Sequence, residues 1–368
     1  MPRLSLASIE KVPGGRAFAR LSRRVRTLIV AGVLFLVLFV LALTMPVPYV
    51  VLSPGPTCNT LSSCYHQPVI TIDGLATAKT TGHLNLTTVG VTTQSITAFQ
   101  ALSGWLASDE VVVPRSAVYP PGQSQQQTDA QNTQEFSGSQ DNATSAALCL
   151  LGYPRGFGIL SVSAAGASHG ILRPGDLFAA VANQPANTEA RLRTVLSTQR
   201  PGTRVPVEVN RQGTPTTVTV RLGPPSKSRK GASLGVVVTT SCLAPFTIKL
   251  GLGNEIGGPS AGLMFALGII DKIGRDRSGR SYDLTAGQFI AGTGEITAAG
   301  AVEPIGGIQL KMIAAKRKGA TVFLAPAGNC SDVRGAIPAG LKVVKVSTLT
   351  QAVDDLLAIQ RKQPVPSC

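Results

Sequence analysis

Ser260 stands in the run Gly257-Gly258-Pro259-Ser260-Ala261-Gly262, directly ahead of an apolar stretch that reaches Ile273. Two glycines permit a sharp bend, and Pro259 suits the first turn of a helix, where its missing N–H costs nothing. The serine is therefore expected at a helix N-terminus. Free backbone N–H groups and the positive end of the dipole would there stabilise an oxyanion on a carbonyl attacked by the hydroxyl. A serine hydroxyl needs a base within hydrogen-bond reach. His66, His83 and His169 are the only histidines, all are upstream, and none sits in a recognisable motif. The stretch around Ser260 is not a Gly-x-Ser-x-Gly elbow, and no His-Glu-x-x-His pattern points to a metal.

A lysine can replace histidine if burial lowers its pKa. The run Pro304-Ile305-Gly306-Gly307-Ile308-Gln309-Leu310-Lys311, followed by Met312-Ile313-Ala314-Ala315, reads as a turn entering a helix. Ile308 and Ala315 share the helical face of Lys311, which sets its amine against an apolar wall. Lys316, Arg317 and Lys318 precede Gly319 and read as solvated charges at a helix C-terminus. Taken alone, the Gly-rich turn at Ser260 could equally cap a helix or hold a phosphate. The later lysine block favours catalysis.

Three ordered blocks, Gly-Pro-Ser-Ala-Gly, then Thr293-Gly294-Glu295-Ile296, then Pro-Ile-Gly-Gly-x-x-x-Lys, resemble the proteolytic domain of Lon proteases over about residues 231–360. The resemblance implies Ser260 as nucleophile, Lys311 as general base, and Thr293 holding the lysine or orienting the dyad. It also implies an oxyanion hole from the backbone N–H groups of Gly258 and Ser260. Glu255 reads as a cleft-lining acid or an exposed loop acid. No Gly-x-x-x-x-Gly-Lys-[Ser/Thr] loop occurs, so no ATP site, and no other cofactor, is expected.

The rest of the chain must hold these groups in place and in a compartment. Its 368 residues, with 43% apolar and 14% charged, exclude a disordered chain and suggest several domains. Net charge is +15, but residues 1–26 carry seven basic residues and one acid. Aromatics are only 5% and do not interleave with the basic residues, so nucleic acid is not an expected partner. From Thr27 to Thr44 there are 18 residues without a charge. As a helix they would span about 27 Å, close to the hydrocarbon thickness, which marks a transmembrane anchor. The basic tail places residues 1–26 in the cytoplasm and everything after residue 45 outside. All six cysteines (Cys58, Cys64, Cys149, Cys242, Cys330, Cys368) then face a compartment that permits disulfides. Cys58 and Cys64 could close a short loop; the pairing of the other four stays open.

Residues 46–150 read as a mixed α/β segment, with strands near Val69–Ile72 and His83–Val91, then a helix with Ala98, Phe99, Leu102, Trp105 and Leu106 on one face. Trp105 is expected in the core, Pro120–Gln127 as a loop, and Ala143–Leu150 as a short helix. Residues 151–225 carry strands Gly158–Val162, Leu177–Val181, Val205–Asn210 and Thr216–Leu222, with a helix near Thr188–Leu196. The pattern Arg155-Gly156-Phe157-Gly158-Ile159, then Leu172-Arg173-Pro174-Gly175-Asp176, resembles a PDZ domain. The resemblance places a peptide-binding loop at Gly156, Phe157, Gly158 and Ile159. Pro224–Lys230 reads as a linker, and the last domain, residues 231–362, begins with strands Val236–Thr240 and Phe246–Leu250.

The expected fold class is α+β: an N-terminal transmembrane helix, a mixed α/β segment, a β-rich PDZ domain and a C-terminal Lon-type α+β domain. This order resembles the membrane-anchored, PDZ-containing Lon-like serine proteases of bacteria. The resemblance implies an ATP-independent, single-pass membrane endopeptidase with protein or peptide substrates, one that leaves room for a homo-oligomeric ring. The competing reading is a catalytically inactive, membrane-tethered peptide-binding scaffold.

Overall fold

The computed structural model describes residues 22–225, 230–252 and 257–368. Glu255, part of the expected linker and most of the basic tail lie outside these. In chain order the main elements are α1 (Arg23–Thr44), β1 (Tyr49–Asn59), β2 (His83–Val91), α2 (Ala98–Leu106) and α3 (Gln125–Leu150). Next come β3 (Arg155–Val162), β4 (Leu177–Val181), α4 (Glu189–Thr198), β5 (Arg204–Arg211), β6 (Thr214–Arg221) and β7 (Val236–Cys242). The C-terminal part holds α5 (Gly262–Ile273), β8 (Phe289–Gly292), α6 (Ile308–Lys318), β9 (Val322–Pro326), β10 (Lys342–Val346) and α7 (Leu349–Gln360). The fold is mixed α+β.

The chain divides into two compact units, the first comprising residues 1–52 and 91–120. In it, Ser22 caps α1 by accepting from the Val25 N–H, and the apolar run continues to Thr44 without a break. Tyr49–Leu52 pairs antiparallel with Val111–Pro114. A capping box between Thr97 and Gln100 starts α2. Trp105, expected in the core, is 69% exposed. The amphipathic pattern of α2 is present, but the face that packs is the one carrying Gly104, whose missing side chain lets the helix approach Val51 and Val112.

The second unit contains residues 53–90 and 121–368. One of its sheets runs in the order β10-β9-β8-β2-β1, and the neighbours β10, β9, β8 and β2 are parallel. Helix α5 is buried on nearly every side, as expected for a helix that is apolar all round. It packs on α3, where Phe136 meets Phe265 edge to face at 5.9 Å. The other sheet has the order β6-β5-β4-β3-β7 and its own apolar core around Ile159, Phe178, Val181 and Val207.

Three expectations are corrected here. Strand β7 does not begin the last domain; it pairs antiparallel with β3 from Val236↔Val162 to Cys242↔Arg155, with one register shift opposite Leu160. Strand β2, expected in a separate upstream segment, lies beside β8 in the sheet that carries Thr293 at its end. Helix α3 runs for 26 residues from Gln125, taking in the last three residues of the expected loop and extending the expected short helix Ala143–Leu150 far upstream; its first half is polar and its packing face uses small residues such as Ser139, Ala143 and Ala147. The six cysteines form Cys58–Cys64, Cys149–Cys242 and Cys330–Cys368.

Candidate active site

Ser260 lies in a turn just ahead of α5, whose N-cap is Ala261, so Pro259 precedes the helix rather than opening it. The turn is held by the end of β8. The Gly294 N–H donates to the Ser260 carbonyl at 2.8 Å, the Leu263 N–H returns a bond to the Gly294 carbonyl at 3.0 Å, and Thr293 Oγ1 donates to the same Ser260 carbonyl at 3.0 Å. From the other side, Ser139 of α3 donates its hydroxyl to the Pro259 carbonyl at 2.7 Å. Every peptide group flanking the serine hydroxyl is therefore tied to a different element of the domain.

Lys311 occupies the first turn of α6 and is only 3% exposed; Ile308 and Ala315, on the same helical face, are buried as well. Its Nζ donates to Ser260 Oγ at 2.8 Å and to Thr293 Oγ1 at 3.1 Å. Among the described residues no carboxylate reaches it, and burial alone lowers its pKa from 10.5 to about 8. The Thr293 hydroxyl proton is committed to the Ser260 carbonyl, so Thr293 Oγ1 can only accept from the lysine. One amine N–H is thereby aimed at Thr293, and the lone pair of a neutral amine is left facing Ser260.

Residues 255–360 match the Lon protease (S16) C-terminal proteolytic domain. That stretch contains Ser260, Thr293 and Lys311. The chain is 36% identical over 109 residues to a Lon protease of Heliobacterium modesticaldum, covering 30% of this chain and 12% of that one. It is 34% identical over 105 residues to Lon protease 2 of Bacillus subtilis, covering 28% of this chain and 17% of that one. The chain thus spans less than a fifth of the length of these relatives. It also aligns with solved PDZ domains of the SdrC-like proteins of Listeria innocua and Listeria monocytogenes, at 19% and 14% identity, covering 23% of this chain and 92% and 90% of those, with TM-scores of 0.21 and 0.22. The Lon similarity supports a serine-protease function.

Within the Lon-like domain the expected oxyanion donors are not equivalent. The Gly258 N–H already donates to the carbonyl of Asn132 on α3 at 3.1 Å, so it is not free for an oxyanion as it stands. Gly258 has φ of +82°, a conformation its neighbours do not contest, since no atom lies within 4 Å of where a Cβ would sit. Among the described residues the Ser260 N–H has no acceptor. Asn132 and Ser139 were not among the expected site residues. Nothing in a Gln- and Ser-rich stretch more than a hundred positions upstream signals that it will touch the serine turn. The histidines are not part of this arrangement: His83 stacks on Phe289 at 4.4 Å, at the end of β8 away from Thr293. Beyond Ser260 and Lys311, Glu295 is pushed above the usual carboxylate range by burial, helped by Glu135 and Glu303.

The expected peptide-binding loop is corrected outright. Gly156, Phe157, Gly158 and Ile159 lie inside β3, where Gly158 pairs with Leu177 on one side and with Thr239 on the other. Ile159 also exchanges bonds with the Asp176 carbonyl and the Gly175 N–H, so both sides of the backbone are taken at Gly158 and Ile159 and a peptide strand cannot add there. An open edge belongs to β7, at one end of the strand order. Beside it runs a groove lined by Leu192 and Leu196 of α4 and by Leu234, Gly235, Val236 and Val238. The apolar-Gly-apolar run Leu234-Gly235-Val236 repeats the pattern of Phe157-Gly158-Ile159 and was the available sequence signal.

Proposed function

We propose that the chain is an ATP-independent serine endopeptidase, anchored in the membrane by α1 with its N-terminus cytoplasmic, and working through a dyad of Ser260 and Lys311. The observation that carries the proposal is the 2.8 Å contact between Lys311 Nζ and Ser260 Oγ, made by an amine whose burial brings its pKa to about 8. In the neutral form the Lys311 lone pair takes the Ser260 proton as Oγ bonds to the scissile carbonyl carbon. The Ser260 N–H faces the oxyanion that develops, and release of Gly258 from Asn132 would supply a second donor. The ammonium then protonates the departing amine. In the second half, the neutral lysine takes a proton from water, hydroxide adds to the acyl ester, and Ser260 leaves with its proton restored. Thr293 holds the lysine and positions it throughout.

With no nucleotide-binding loop in the sequence, unfolding of substrates is not part of this reading, and the substrates are flexible tails, loops or unfolded chains. A peptide added along the free edge of β7, with side chains in the groove against α4, would be selected or gated by the PDZ-like unit. Strand β7 is bonded through Cys242 to Cys149 at the end of α3, the helix that holds the Gly258 turn.

The test uses the full-length protein in detergent or nanodiscs with an unfolded protein substrate and a serine-directed fluorophosphonate. Wild-type should cleave and be labelled at Ser260, whereas Ser260→Ala and Lys311→Ala should do neither while still unfolding in a cooperative transition. Cleavage by either variant would overturn the dyad. Absence of both labelling and cleavage in wild-type across the alkaline range would favour the inactive, peptide-binding scaffold.

A further inference from the structure

Helix α2 presents a bare apolar face. Phe99 is 46% exposed, Leu102 53%, Trp105 69% and Leu106 80%, and their spacing puts them on one stripe. The helix contains no charged residue. Its polar side chains are satisfied locally: Gln100 Oε1 accepts from the Thr97 N–H at 2.8 Å, and the Ser103 hydroxyl donates to the Gln100 carbonyl at 2.9 Å. The opposite face, through Gly104, is packed on Val51 and Val112. An exposed patch of this kind in a chain free in water would be a liability.

Its position relative to α1 says what covers it. The Ala98 N–H donates to the Met45 carbonyl at 3.3 Å, so α2 starts where α1 ends. The Phe99 ring meets the Phe39 ring edge-on at 6.5 Å. Phe39 lies five residues before Thr44, which is about 7–8 Å down the helix axis. The charge-free run from Thr27 to Thr44 is about as long as a bilayer's hydrocarbon layer is thick, so its upper end lies near the boundary and Phe39 lies inside. A ring in contact with Phe39 is at acyl-chain depth. We propose that α2 is an interfacial helix, its Phe99, Leu102, Trp105 and Leu106 stripe immersed in the lipid leaflet at the Thr44 end of α1. The indole of Trp105 suits that boundary, where aromatic residues with a polar handle concentrate. The anchor then has a second point of attachment.

The inference rests on the reading of α1 as a membrane span, and the test separates the two. Trp105 is the only tryptophan in the chain, so the emission of the full-length protein reports this position directly. The protein is reconstituted into phosphatidylcholine vesicles and into vesicles whose phosphatidylcholine carries bromine on the upper acyl chain. Emission should be blue-shifted in the first and lose most of its intensity in the second. The double variant Leu102→Glu/Leu106→Glu should shift emission to the red and escape quenching while still resisting carbonate extraction. A red, bromine-insensitive wild-type spectrum would overturn the proposal, as would a blue-shifted but bromine-insensitive one, which would mean that protein, such as a second copy, covers the stripe. Wild-type protein released by carbonate would defeat the membrane-span reading itself.

Discussion

Raising pH should activate the enzyme through one group. Lys311 loses its proton at about 8 instead of 10.5 because burial penalises the ammonium. At pH 7 about one amine in ten is then neutral, against roughly one in three thousand for an unperturbed lysine, so burial increases the reactive form on the order of 300-fold. The rate constant kcat/KM for a short fluorogenic peptide, measured on the full-length protein, should rise about tenfold per pH unit below 7, bend at about 8 and level off above 9. The same burial costs the fold. Below pH 8 both folded and unfolded lysines are protonated and the folded state bears the full penalty, about 3 kcal/mol for a gap of this size. Between 8 and 10.5 the folded lysine deprotonates first, and the penalty fades as pH rises. Lys311→Met should therefore be inactive yet stabilised by up to about 3 kcal/mol at pH 7, with the gain gone above 10.5. Denaturant melts at pH 7 and pH 10.5 read this difference. A flat rate profile from pH 6 to 9 would remove lysine as the base, and a Lys311→Met variant that melts earlier than wild-type at pH 7 would remove desolvation as the cause of the shift.

Thr293→Val deletes the acceptor that aims the Lys311 amine, and loss of a hydrogen bond to a charged group, about 1.5–3 kcal/mol, should lower kcat by roughly 10–100-fold and move the alkaline bend to lower pH, with Thr293→Ser restoring both. Asp271 of α5 is held at about 6 by burial, so its charged form is penalised above that pH. Asp271→Asn should keep the bond from the Leu284 N–H and stabilise the fold at pH 7 by up to about 3 kcal/mol, a gain that shrinks as pH falls from 6 toward 4. Leu196→Asp places a charge in the groove beside β7 and should weaken capture and cleavage of long unfolded chains while leaving turnover of a short peptide unchanged, as read by KM for the two substrates. Equal losses on both substrates would deny the groove a role in selection.

Much of the chemistry was readable because it resides in local runs. Gly257 to Gly262 and Pro304 to Lys311 each bend the chain and open a helix by short-range rules, and the apolar stripe around Lys311 follows from helical periodicity alone. The strands Leu177–Val181 and His83–Val91 were visible for the same reason, as apolar runs between turn signals. Trp105 was misplaced because periodicity shows that a helix has an apolar face without showing what lies against it. The first half of α3 was missed because Gln, Asn and Ser carry no apolar stripe, although the capping box at Ser124 and Gln127 marks its start.

The amino-acid order on its own determined which residue types could form a nucleophile and a base, that a charge-free run could cross a bilayer, and that the cysteines fall on one side of it. Tertiary structure decided the rest. The approach of Lys311 to Ser260 closes a separation of 51 residues, and the parallel register that puts His83–Val91 beside Phe289–Gly292 closes one of about two hundred. The capture of the Gly258 N–H by Asn132 and the pairing that buries Gly158 while freeing the edge of Val236–Cys242 arise the same way. Hydrogen-bond partners across such distances are selected by the packing of whole sheets and helices, and no local pattern of side chains encodes which edge is left open.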